Sequence, residues 1–234
     1  FKIGILLAVI TVSLVLAPVA RAEWFSDEQQ KMGTRVEVQL WADDPIQAKR
    51  LLADAMAEFD RIEALMSTYI PSSEMSRINS SAALAPQPIS TELFELLKRS
   101  LSLSNMTDGA FDITYESVGY MYDFRARKRP DTAAIAAQLD KINYRYVLLD
   151  ETAQSVYFKV AGVRINLGGI AKGYAVARVI ALLKERGIEH ALATAGGDTC
   201  LLGDRLDKPW IVGIRDPNKS NAIFTRLALD NEAI

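Results

Sequence analysis

The sequence predicts an α+β fold of mixed sheets with packed helices, on three observations. Helical and strand segments alternate irregularly. Three strand candidates follow one another at 146–149, 155–160 and 163–167 with no helix between them. The two longest helical segments carry a single apolar stripe each, as helices laid on a sheet do. The 234 residues, half of them hydrophobic, are enough for a sizeable core.

The first element is a targeting segment. Lys2 precedes an apolar stretch over residues 3–16, and Ala20-Arg21-Ala22 forms a small-residue cleavage site. Residues 1–22 are therefore expected to be a cleavable signal peptide, with residues 23–234 forming the mature domain in the periplasm. Pro18 and Arg21 interrupt the apolar run, so stable membrane insertion after cleavage is not expected. The single cysteine, Cys200, allows no intramolecular disulfide and reads as a structural thiol.

Val36, Val38 and Leu40 alternate with Arg35, Glu37 and Gln39, the period of a half-buried strand. Asp44 and Pro45 supply an N-cap and a first helical residue. Ile46, Leu51, Leu52, Ala55, Met56, Phe59, Ile62, Leu65 and Met66 then form the buried stripe of a long helix. Residues 67–79 are polar and turn-rich, with Glu74 and Arg77 spaced for a local ion pair. Ser90 opens a second helix through Leu93, Leu97 and Leu101, ended by the glycine in residues 108–114. Residues 115–130 show no period, and a short helix is expected near 132–139. A helix over Ala171–Glu185, a strand over Ala191–Ala195 and strands near 210–214 and 224–229 complete the chain.

The stretch Asn166-Leu167-Gly168-Gly169-Ile170-Ala171-Lys172-Gly173-Tyr174 is the richest in chemistry. It runs through two glycines into an apolar-periodic helix. Such a junction leaves N–H groups free at the positive end of the helix dipole, where a phosphate can approach the backbone. A tight connection with no ligand fits the same residues. The net charge of −2 gives no footprint for nucleic acid.

Met32-Gly33-Thr34, Ser67-Thr68-Tyr69-x-Pro71-x-Ser73-Glu74-x-Ser76-Arg77-Ile78-Asn79, residues 108–114, residues 167–174, Ala195-Gly196-Gly197-Asp198 and Trp210-x-Val212-Gly213-Ile214-Arg215-Asp216-Pro217 stand in one order. In that order they resemble the motifs of the ApbE family of FAD:protein FMN transferases, over essentially all of the mature chain. The resemblance implies an ApbE-like fold and a magnesium-dependent transfer of FMN from FAD to a Ser or Thr of a target protein, with AMP leaving. It implies Mg²⁺ as cofactor, FAD as substrate, and Ser/Thr-bearing subunits of membrane electron-transfer complexes as partners. By the same resemblance Met32, Tyr69, Ala110, Phe111 and Asp112 line the FAD site, Gly168 and Tyr174 flank the diphosphate, and the Ala171 carbonyl ligates the metal. No catalytic residue is assigned. An FAD pyrophosphatase and a non-catalytic flavin-binding protein are the alternatives.

Each of these residues also has a local role open to it. Tyr69 and Phe111 suit core packing or ring stacking, Asp112 a cap or a flavin contact, and Met32 plain packing. Lys172 stands where an ammonium could meet a phosphate. Asn166 replaces the Asp that family members carry before Leu-Gly-Gly, keeping the hydrogen-bonding shape without the charge. The resemblance further implies segments beyond Ile234 carrying a His and side-chain metal ligands, so residues 23–234 are expected to be an incomplete domain. His190, after Gly187, is expected at the surface without a catalytic role.

Overall fold

The computed structural model describes residues 22–123, 126–219 and 222–234. The signal peptide reading thus lies, but for Ala22, outside the described residues. Among them, no helix is long and apolar enough to cross a membrane.

The scaffold is a four-stranded antiparallel sheet in the order β1 (Glu23–Lys31), β2 (Thr34–Ala42), β6 (Ala191–Ala195), β7 (Asp198–Leu202). Two helices, α1 (Pro45–Met66) and α6 (Ala171–Glu185), pack on one face of it. Alternation dictates this: Val36, Val38, Leu40 and Ala42 of β2 are buried, as are Ala191, Ala193 and Ala195 of β6. The three alanines are small enough to let α6 lie close. Phe59, Ile62, Val179 and Leu183 fill the layer between. Asp44 caps α1 by accepting the Ile46 N–H, with Pro45 at the first helical position.

A second, three-stranded antiparallel sheet has the order β3 (Gln87–Pro88), β5 (Ser155–Phe158), β4 (Val147–Asp150). Helices α2 (Glu74–Ser81) and α3 (Thr91–Met106) lie beside it in sequence, Ser73 and Ser90 capping their starts. Short turns α4 (Glu116–Gly119) and α5 (Thr132–Ala136) follow, and a separate hairpin pairs β8 (Trp210–Arg215) with β9 (Ile223–Leu229). Residues near the C-terminus run along β7, where Thr199 and Ile234 exchange backbone hydrogen bonds of 2.7 and 2.9 Å.

Four features depart from the sequence reading. β1 has no apolar alternation and was not expected; nine residues pair with β2 at the sheet edge, where charged side chains suit an open edge. Within residues 67–79, expected to be turn-rich, Glu74 begins α2, which buries only Met75 and Ile78. β7 continues past the Gly196-Gly197 turn. Residues 163–167 are extended but are not a strand. Val163, Ile165 and Leu167 are buried in alternation as a strand would have them, yet two side chains and one lone carbonyl replace the neighbouring strand. The Asn79 carboxamide donates to the Ile165 carbonyl (2.9 Å) and accepts the Ile165 N–H (2.8 Å). The Ser117 hydroxyl accepts the Arg164 N–H at 3.0 Å, and the Asn166 N–H donates to the Ile113 carbonyl at 2.9 Å.

Candidate functional site at the start of α6

The extended segment delivers its chain to the foot of α6, where Gly168 and Gly169 turn into the helix. Ile170 makes no side-chain cap. The N–H groups of Ile170 and Ala171 bond the Leu167 carbonyl, that of Gly168 bonds Asn166 Oδ1, and that of Tyr174 bonds the Ile170 carbonyl. Those of Gly169, Lys172 and Gly173 have no acceptor among the described residues. Three unpaired donors at a helix start form the anion-seeking arrangement that the sequence points to.

Neither glycine has a positive φ; both serve close approach. A Cβ at Gly169 would stand 3.2 Å from Phe111 Cε2, and one at Gly168 3.0 Å from Asn166 Oδ1. Lys172 folds back over the turn, its Nζ donating to the Gly168 carbonyl at 3.1 Å, so a positive charge stays beside the unpaired N–H groups.

In front of this turn lies a cleft of about 370 Å³. Gly168, Ala171 and Lys172 line it together with Met32, Glu63 and Ser67 to Tyr69. Met32 and Gly33 are the two-residue connection between β1 and β2, with φ of +52° and +71°. A hairpin loop of this length takes positive φ at both residues when its twist follows that of the strands. For methionine this conformation is strained, and it is held by the Met32 N–H donating to Glu63 Oε2 at 2.8 Å. Tyr69 is 75% exposed at the rim, where its ring can offer a stacking face.

The cleft thus gathers four of the expected site residues: Met32, Tyr69, Gly168 and Ala171. Phe111 adjoins them through Gly169, and Ala110 precedes it on the exposed chain. Asp112 has both carboxylate oxygens engaged locally: Oδ1 accepts the Thr114 N–H (2.8 Å) and hydroxyl (2.6 Å), and Oδ2 accepts the Tyr144 N–H (2.9 Å). It holds the Phe111 turn in place. Tyr174 points its hydroxyl to Glu92 Oε1 at 2.7 Å, linking α6 to α3. Burial beside that carboxylate pushes the Tyr174 phenol up to about 12.

Behind the turn sit two residues that the sequence reading did not single out. Glu116 is only 6% exposed and accepts a hydrogen bond from Asn166 Nδ2 at 3.0 Å. Burial raises its carboxyl pKa, against the pull of Asn166 and Arg164. Tyr115, whose hydroxyl lies near Gly168, is likewise pushed up to about 12 by burial and by Glu116. No pattern marks either one, because they fall in an aperiodic stretch.

His190 is part-exposed in the turn between α6 and β6, its side chain 25% exposed with Nδ1 3.0 Å from Asp204 Oδ1, and it does not line the cleft. Cys200 is half-buried on β7, its thiol pushed up by burial. Among the described residues no group of three His, Cys, Asp or Glu could hold a metal ion. Magnesium takes close to six oxygens, and at this cleft the Ala171 carbonyl would supply one of them, the others falling to water and phosphate oxygens.

A model described as the ApbE family matches residues 32–234. A FAD:protein FMN transferase of Klebsiella pneumoniae is 28% identical over 206 residues, covering 87% of this chain and 62% of its own. That of Escherichia coli is 26% identical over 217 residues, covering 88% and 61%. The chain spans about three fifths of the length of these curated relatives. The ApbE protein of Thermotoga maritima has a TM-score of 0.82 at 26% identity, over 90% of this chain and 69% of that one. The flavin transferase ApbE of Vibrio cholerae has a TM-score of 0.76 at 25% identity, over 84% and 65%. With mixed helices and antiparallel sheets in common with these structures and a family match from the β1–β2 turn to Ile234, the chain belongs to the ApbE family.

Proposed function

We propose that the protein of which this chain is part is an FAD:protein FMN transferase that works in the periplasm. The observation that carries the reading is the α6 start: three unpaired N–H groups and the Lys172 ammonium adjoin a cleft that Lys172 lines together with an exposed tyrosine and a strained methionine. The diphosphate of FAD lies against those donors, which take up negative charge as it shifts during the reaction. Tyr69 and Phe111 offer ring faces to the flavin or adenine. Met32 packs beside them.

In the transfer, a Ser or Thr oxygen of the target protein bonds to the phosphorus of the FMN half. The bond from that phosphorus to the bridging oxygen breaks, AMP leaves with that oxygen, and the hydroxyl proton passes to solvent or a base. Magnesium enters this reading through the family: its chemistry is neutralisation of phosphate charge. Of the residues here, only the Ala171 carbonyl is assigned to it. Targets are subunits of membrane electron-transfer complexes that expose a hydroxyl residue on the periplasmic side.

The test is product analysis with FAD, Mg²⁺ and a target subunit. Fluorescent protein on a denaturing gel with stoichiometric AMP supports transfer. Free FMN and AMP with no labelled protein show a pyrophosphatase, and intact FAD shows a flavin-binding protein without turnover.

A further inference from the structure

Asn166 is bonded on three sides. Its Oδ1 accepts the Gly168 N–H at 2.6 Å, and its Nδ2 donates to Glu116 Oε2 at 3.0 Å and Thr68 Oγ1 at 3.3 Å. The orientation of the amide is fixed by chemistry: a backbone N–H can only donate, so the oxygen faces Gly168 and the nitrogen faces the carboxylate. Thr68, Asn166 and Gly168 all line the cleft. One side chain therefore ties the Gly168 turn to the Thr68 segment, seated on a buried carboxyl group.

We propose that Asn166 is the positioning residue of the dinucleotide site, setting the Gly168 turn against the Thr68 segment, and that the buried Glu116 requires an amide rather than a carboxylate at this position. A carboxylate there would still accept the Gly168 N–H with one oxygen. Its other oxygen would meet Glu116, only 6% exposed, at hydrogen-bonding distance, placing a second negative charge where burial already disfavours one. The pair would have to share a proton or separate, and separation pulls the Gly168 turn from Thr68. The charged and titratable groups around Glu116 are the Arg164 guanidinium, which stacks over the Tyr120 ring, and the Tyr115 hydroxyl. Burial outweighs Arg164 at Glu116, whose carboxyl stays above its ordinary pKa. The inference rests on the dinucleotide reading for its ligand, and on the hydrogen bonds alone for the pairing.

The test compares the unmodified protein with Asn166→Asp, Glu116→Gln and the double variant, by FAD titration and by thermal unfolding without flavin, at pH 7.5 and 5.5. Asn166→Asp is expected to lose about tenfold in FAD affinity at pH 7.5 and several degrees in Tm, the effect of one disrupted charged contact. Both are recovered at pH 5.5, where the pair shares a proton. Both are also recovered at pH 7.5 in the double variant, whose Gln side chain donates to the new carboxylate. A merely space-filling role gives no such rescue by charge.

Equal behaviour of Asn166→Asp and the unmodified protein at pH 7.5, or a double variant no better than the single one, overturns the proposal. If Asn166→Asp does not fold at neutral pH, the double variant decides alone, since the pairing requires it to fold. Failure of the unmodified protein to bind FAD instead overturns the function reading, and the Tm comparison still judges the pairing.

Discussion

Asn79 acts as a missing strand neighbour for Ile165: its carboxamide donates to the Ile165 carbonyl at 2.9 Å and accepts the Ile165 N–H at 2.8 Å. The segment that delivers Gly168 to the cleft is thus held by a side chain from α2. Asn79→Ala leaves two part-buried backbone groups unpaired, an expected loss of about 2–4 kcal/mol in urea unfolding. A loss below about 0.5 kcal/mol would show that water replaces the amide.

Asp112 is fully engaged in the turn that carries Phe111. Asp112→Ala is expected to cost about 2–3 kcal/mol of stability along with its effect on flavin binding, because three donors lose their acceptor. Unchanged unfolding with weakened FAD binding would instead make it a ligand contact only.

The strain at Met32 separates stability from binding. Met32→Gly relieves a positive φ and is expected to hold or raise stability, by up to about 1 kcal/mol, while weakening FAD binding several-fold. Thermal unfolding and flavin titration on the same preparation give both numbers. A variant that binds FAD unchanged shows that the methionine only closes the hairpin.

Arg61 binds Glu58 and Glu92 together, at 2.6 to 2.8 Å, and holds both carboxyls below the usual carboxylate range. Depressed folded-state values contribute stability that is present above the unfolded-state pKa near ~4.3 and is lost as pH falls through the folded values. Arg61→Leu should therefore lower stability by on the order of 1 kcal/mol at pH 7, the half-exposed guanidinium keeping the figure small. The gap should close below pH ~4. A gap that widens on acidification contradicts the assignment.

What the sequence reveals follows from where side chains are forced to alternate. β2, α1 and α6 each bury one face against the sheet, so Val36 to Leu40 and Val176 to Leu183 spell out their elements. β1 is an edge strand fixed by pairing with β2, and its polar residues carry no such record. α2 buries two side chains, too few to show a period. At 163–167 the alternation is real, but Asn79 and Ser117 supply the partners, which no local pattern can show. At the site, the glycine turn was legible because helix starts leave donors free. Glu116 was not, since its meaning comes from Asn166, fifty residues on.

Binding of FAD by calorimetry, with and without Mg²⁺, tests the central claim most directly. The α6 start is expected to bind one FAD per chain in the unmodified protein, with Gly169→Ala weaker by about tenfold because its Cβ crowds Phe111 against the diphosphate seat. No heat of FAD binding, or equal binding by Gly169→Ala, would contradict it.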